Sequence, residues 1–150
     1  MIGFTTIRNT LRPWDYWCRR TKGDSLANMR REWTIEDDNR PWTANAERTW
    51  HRHKRANVVK QWRTRWYYLA LNAKLPHLDK VSVTCIPLAK DRRWRPDVGA
   101  CYPAVKAAID GIVDAGVLDD DNPEHLLHVT FYPVQVVGRD GLRLTVREVE

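Results

Sequence analysis

Between residues 55 and 74 the apolar side chains of Val58, Val59, Trp62, Trp66, Leu69, Ala70 and Ala73 recur at intervals of three and four. That spacing predicts a helix with one buried stripe. Arg55, Lys60, Arg63 and Lys74 fall mostly off the stripe, and Pro76 stops the helix. Trp62 and Trp66 lie four apart on it, so both are read as core residues and not as surfaces for stacking bases. A second period follows directly. In residues 80–89 Val81, Val83 and Cys85 alternate on one face, which predicts a strand, and Pro87 places its end at an edge or bulge.

The rest of the chain fits around these two elements. Residues 32–36 alternate as a short strand, residues 37–41 form a turn, and the polar, aromatic and cationic stretch 41–53 is expected to be a loop. A helix is expected from about Pro103 to Ala115. Proline suits its first turn, Val105, Ala108, Ile109, Ile112 and Val113 make its inner face, and Gly116 ends it. Residues 125–137 are long and β-rich, Gly138-Arg-Asp-Gly141 is a turn, and Leu142, Leu144 and Val146 alternate inward beyond it, which predicts a C-terminal β-hairpin. The order β-α-β-α-β-β gives one mixed α/β or α+β domain over residues 33–150, a small mixed sheet with two main helices. Residues 1–32 form an N-terminal extension, with Trp14, Tyr16 and Trp17 as its bulky cluster and a short helix near Ser25–Arg31 capped by Asp24. This arm is expected to order on a partner, a host protein or a second subunit.

Charge is distributed unevenly. Residues 1–96 carry 21 Lys and Arg against 9 Asp and Glu, and residues 97–150 carry 4 against 10. A basic front leading to an acidic rear fits a nucleic-acid platform beside a metal-binding pocket. Of the eight tryptophans, six lie among basic residues, an arrangement in which exposed indoles can stack on bases while cations hold phosphates. The expected DNA contacts are Arg48, Arg52, His53, Lys54 and Arg55 in one segment and Lys90, Arg92, Arg93 and Arg95 in another. His51 and His53 are read as surface residues beside phosphate contacts. Three scattered cysteines have no zinc spacing and imply no disulfide framework, and Cys85 reads as a small core residue. No apolar run is long enough to span a membrane, and the start of the chain does not read as a signal peptide. A cytoplasmic location is the expectation.

Chemistry concentrates in residues 91–121. Arginines come first, then a lone acid at Asp97, then the helix with Lys106, and last the acids Asp119, Asp120 and Asp121. Carboxylates at both ends with a lysine between suit metal-assisted attack on a phosphodiester. Lys106, Asp110 and Asp114 also lie four apart on the outer side of the helix, where a row of i,i+4 ion pairs accounts for them equally well.

Lys106-Ala-Ala-Ile-Asp110-Gly-Ile and Ala115-Gly-Val-Leu-Asp-Asp-Asp121 resemble the helix and following acidic run of the RusA family of Holliday junction resolvases, common in phages. Upstream, Arg40-Pro-Trp-Thr-Ala-Asn through His53 is similar to that family's Pro-Trp-rich N-terminal loop. The resemblance implies a RusA-like fold and a magnesium-dependent endonuclease of four-way junctions and other branched DNA, with manganese as a substitute metal. It also implies a homodimer. Asp97 maps onto the first metal carboxylate, and either Asp120 or Asp121 onto the downstream one. The family's second Asp is Gly99 here and its Asn is Ala100, so Asp110 is a candidate replacement ligand. Catalysis would fall to Asp97, Lys106 and Asp121. The alternative is a RusA-like protein that has lost turnover and acts as a branched-DNA-binding or host-protein-binding module.

Overall fold

A computed structural model describes residues 31–150. The expected helix near Ser25 and the aromatic cluster at Trp14, Tyr16 and Trp17 lie outside the described residues. The elements run β1 (Glu32–Asp37), α1 (Ala44–Arg48), α2 (Arg52–Asn72), β2 (Val81–Ala89), α3 (Tyr102–Asp114), β3 (Leu126–Phe131), β4 (Gln135–Val136) and β5 (Gly141–Glu148). The fold is mixed α+β: five strands form one sheet in the order β1-β5-β2-β3, with β4 also paired to β2.

Strand pairing corrects one expectation. The C-terminal strands do not form a hairpin, because β2 lies between them. β5 pairs antiparallel with β1 on one side and β2 on the other, while β3 and β4 run parallel to β2 along its far edge. A parallel neighbour needs a crossover connection, and α3 provides it between β2 and β3. The single long strand expected over residues 125–137 is broken at Tyr132–Val134, where Pro133 cannot donate to the ladder. The turn at Gly138–Asp140 then carries the chain across the end of β2. The Asp140 carboxylate accepts from the Lys90 backbone N–H there at 3.0 Å.

Alternation sets the two faces of the sheet. Ile35, Val83, Cys85, Leu144 and Val146 point into the core, where α2 and α3 cover them. On the opposite face a row of threonines crosses β1, β5, β2 and β3, Thr34 beside Thr145, Thr145 beside Thr84, and Thr84 beside Thr130. The helical stripe behaves as its spacing required. Trp62, Trp66, Leu69 and Ala70 are buried, and Trp66 is the largest fully buried side chain. The helix begins at Arg52, three residues earlier than expected, with His51 as its N-cap. Part of the expected loop before it is the short helix α1, capped by Thr43, whose hydroxyl accepts from the Ala46 N–H at 3.3 Å. Cys85 and Cys101 are buried, and burial pushes their thiols up to about 12 and about 11, so neither supplies a thiolate nucleophile.

The α2–α3 crossing positions the acidic cluster. Gly111 lies where the helices touch: a Cβ there would stand 2.9 Å from the Trp66 Cβ and 3.0 Å from the Tyr67 nitrogen. Trp62 donates across the same contact to the Ala104 carbonyl at 2.9 Å.

Candidate functional site

Three of the residues singled out by sequence meet in space. Lys106 lies at mid-helix on α3, Asp110 one turn further on, and Asp121 in the loop that follows the helix. The Lys106 ammonium donates to the Asp110 carboxylate at 2.5 Å and also to the Asp121 carboxylate. The contact with Asp110 is the i,i+4 pair that the spacing predicted. The contact with Asp121 spans 15 residues and depends on how the chain leaves the helix. Gly116 permits this path, because its φ of +79° is open to glycine and strained for other residues. Val117 and Leu118 then bury and turn the acidic run back along the helix.

The cluster is partly solvated and internally compensated. Lys106 side-chain exposure is 43%, against 25% for Asp110 and 26% for Asp121. Partial burial acts to lower the Lys106 pKa, but the bonds to Asp110 and Asp121 outweigh it and hold the ammonium raised. In return the Lys106 hydrogen bond holds the Asp121 carboxyl below its ordinary range. Arg63 from α2 reaches the same neighbourhood. It donates to both oxygens of Asp114, one of them at 2.6 Å, and lies close enough to feel the charges of Asp110 and Asp121. Asp114 is held below its usual range by that bidentate pair. Sequence reasoning did not single out Arg63.

The other acids stand apart from Lys106. Asp97 is exposed, and its side chain has no hydrogen-bond or ion-pair partner among the described residues. Its backbone carbonyl accepts from Ala100 at 3.0 Å in the turn before α3, in which Gly99 has a φ of +82°. Asp120 accepts from the Asp121 backbone N–H at 2.8 Å and from Asn122, which fixes the loop. Asp119 faces His77 at 3.0 Å. Among the described residues no three acids, histidines or cysteines lie together in a metal-binding group. Asp110 and Asp121, which Lys106 brings together, are the pair that could hold a magnesium ion. This cation is commonly held by one or two carboxylates, with waters and substrate phosphate completing its shell. Two oxygens bonded to one nitrogen lie within about 6 Å of each other, and both face the space that the Lys106 ammonium fills.

The expected DNA-binding residues are all exposed. Arg48 closes α1, while Arg52, His53, Lys54 and Arg55 open α2, whose first turn holds no acid. Arg55 pairs with Glu47 at 2.6 Å, and Lys54 lies over the Trp50 ring at 5.0 Å. Lys90, Arg92, Arg93 and Arg95 occupy the loop after β2. Arg93 faces Asp91 at 3.5 Å, and Arg95 folds back onto the Arg92 carbonyl at 3.0 Å. Arg40 joins the two basic segments. It lies 5.0 Å over the Trp94 ring in the second and bonds Asp140 at 2.9 Å, and its own turn leads into α1. Sequence reasoning had placed Arg40 only in a motif.

No protein-family profile matches this chain, and no curated protein sequence matches it either.

Proposed function

We propose that this chain is a magnesium-dependent, structure-selective endonuclease that cuts four-way junctions and other branched DNA. The observation that carries the reading is the convergence of Asp110 and Asp121 on Lys106. All three belong to the stretch that resembles the RusA family, and Lys106 and Asp121 come together from positions 15 residues apart. An i,i+4 ion pair alone accounts for Asp110 but not for the return of Asp121.

Asp110 and Asp121 would hold the metal. When bound, magnesium polarises the scissile phosphate and lowers the pKa of an attacking water. Lys106 then exchanges its carboxylate partners for phosphate oxygens and stabilises the charge that grows on them as a P–O bond to water forms and the bond to the sugar oxygen breaks. Arg63 keeps Asp114 occupied and adds a fixed positive charge beside the cluster. Arg92, Arg93 and Arg95 hold the DNA backbone, with Arg48, Arg52, His53, Lys54 and Arg55 as the second track. A homodimer, which the resemblance implies, would supply two active sites for two symmetric cuts in a four-way junction, and it would act in the cytoplasm.

One observation favours a second reading, a branched-DNA-binding module without turnover. Asp97, the residue that the resemblance assigns to the first metal carboxylate, stands outside the Lys106 contact. The deciding experiment is cleavage of a labelled four-way junction with and without magnesium or manganese. Metal-dependent paired nicks support the nuclease, and tight binding without product supports the module.

A further inference from the structure

A cleft of about 570 Å³ opens beside the stretch of α2 from Val58 to Arg65. Trp42, Trp50 and Trp62 form its aromatic wall, and Asn39, Gln61 and Val58 complete the lining between Arg40 and Arg65. Lys54, Val58, Gln61 and Arg65 recur at helical spacing, so one face of α2 presents a cation, an apolar contact, an amide and a second cation in sequence. Among the described residues no carboxylate lines the cleft. Asp37 and Asp140 engage Arg65 and Arg40 from outside it, and each guanidinium still leaves nearly half of its side chain exposed.

The indoles pack on one another. Trp42 packs against Trp62 at 5.4 Å, edge to face, and against Trp50 at 5.7 Å. The N–H groups of the two deeper rings are already used: Trp42 donates to Glu47 at 2.6 Å and Trp62 to the Ala104 carbonyl. What remains for a ligand is the partly buried ring of Trp50, with the Lys54 ammonium over it at 5.0 Å. That contact is exposed and sits on a flexible stem, so a flat ring can displace it and leave Lys54 at the rim.

We infer that this cleft receives one unstacked nucleobase of a nucleic-acid strand. The base stacks on Trp50, its edge meets the Asn39 and Gln61 amides, and its flanking phosphates meet Lys54 on one side and Arg40 and Arg65 on the other. The chemistry is that of a flat heteroaromatic with a donor and acceptor edge on an anionic chain. An aromatic wall, two amides and cations at both rims are complementary to each part of it. Branched DNA offers such a base where pairing at its branch point opens. The inference therefore rests on the nucleic-acid half of the proposed function and not on cleavage.

The test uses the full chain in EDTA, so that no cutting occurs, with a short single strand carrying one 5-iodouracil. Long-wavelength irradiation is expected to crosslink the iodouracil to Trp50. Replacing that base by an abasic site is expected to weaken binding about tenfold in the wild type and to change nothing in Trp50→Leu, which keeps apolar bulk, while Trp50→Tyr restores the difference. Crosslinks that map to Trp94 or the arginine loop, an abasic strand that binds as well as the intact one, or no binding of the single strand at low salt would each overturn the inference. If the crosslink forms at Trp50 but no junction is cut in magnesium, the base pocket stands and the nuclease assignment falls.

Discussion

Arg65, on α2, closes over Asp37, the last residue of β1, whose carboxylate is fully shielded from solvent. The second oxygen of Asp37 accepts from the Asn39 backbone N–H at 2.6 Å. The pair ties the long helix to the edge of the sheet at the rim of the tryptophan cleft. Removing the guanidinium leaves a buried carboxylate with one backbone donor. Arg65→Ala is therefore expected to destabilise the fold by about 3 kcal/mol, measured by urea unfolding. A loss under about 0.5 kcal/mol, the range of ordinary surface changes, would contradict this role.

Gly111 gives a test of opposite sign from helix propensity. In an exposed helix, glycine to alanine stabilises by about 1 kcal/mol. Here the added methyl meets Trp66 and the backbone of α2, so Gly111→Ala is expected to cost about 1–3 kcal/mol. For a chain of this size that lowers the melting temperature by roughly 2–4 °C per kcal/mol. A raised melting temperature would show that the helices part easily.

The acidic cluster should respond to pH in a definite direction. Asp121 is held below its ordinary value of 3.8 by Lys106, and Asp114 by Arg63. A depressed carboxylate contributes stability that is fully present above its unfolded pKa and lost as pH falls through the folded one. The cluster is thus stabilising at neutral pH and weakens below about pH 4. Carbon-detected titration of the aspartates is expected to show Asp121 moving up toward its ordinary value in Lys106→Met, with Asp114 nearly unchanged. An unmoved Asp121 would mean that the contact with Lys106 does not persist in solution.

Phosphate contacts are countable through salt. Arg92, Arg93 and Arg95 are exposed, and their existing partners are a nearby acid and a backbone carbonyl. Each of them that meets a phosphate adds about 0.9 to the slope of log affinity against log salt. Replacing all three by alanine is expected to reduce that slope by roughly 2–3. An unchanged slope would place the DNA elsewhere on the molecule.

What the sequence made legible followed from local periodicity. The α2 stripe, the inward parity of Val81, Val83 and Cys85, and the Lys106–Asp110 pair all depend on spacings of two to four residues. Pairing across the sheet depends instead on which strand lies between two others. Alternation placed Leu142, Leu144 and Val146 of β5 inward but could not show that β2 separates β5 from β3. Parity also held an unused signal. Ile35 points into the core, so Asp37, two residues on, must point inward too and needs a cation. Thr43 at the head of α1 was a second such signal, a capping residue inside a stretch read as loop. The meeting of Asp121 with Lys106, and of Arg63 with Asp114, depends on a loop path and a helix crossing that no short window encodes.

The most direct test of the nuclease assignment is cleavage of a labelled four-way junction in magnesium, beside a linear duplex, by the wild type, Asp121→Asn, Asp97→Asn and Lys106→Ala. The expected result is paired, symmetric, metal-dependent nicks in the junction alone. These should vanish in Asp121→Asn, fall about a hundredfold or more in Lys106→Ala, and suffer less in Asp97→Asn. Junction binding without product in either magnesium or manganese, or wild-type cutting by Asp121→Asn, would contradict the assignment.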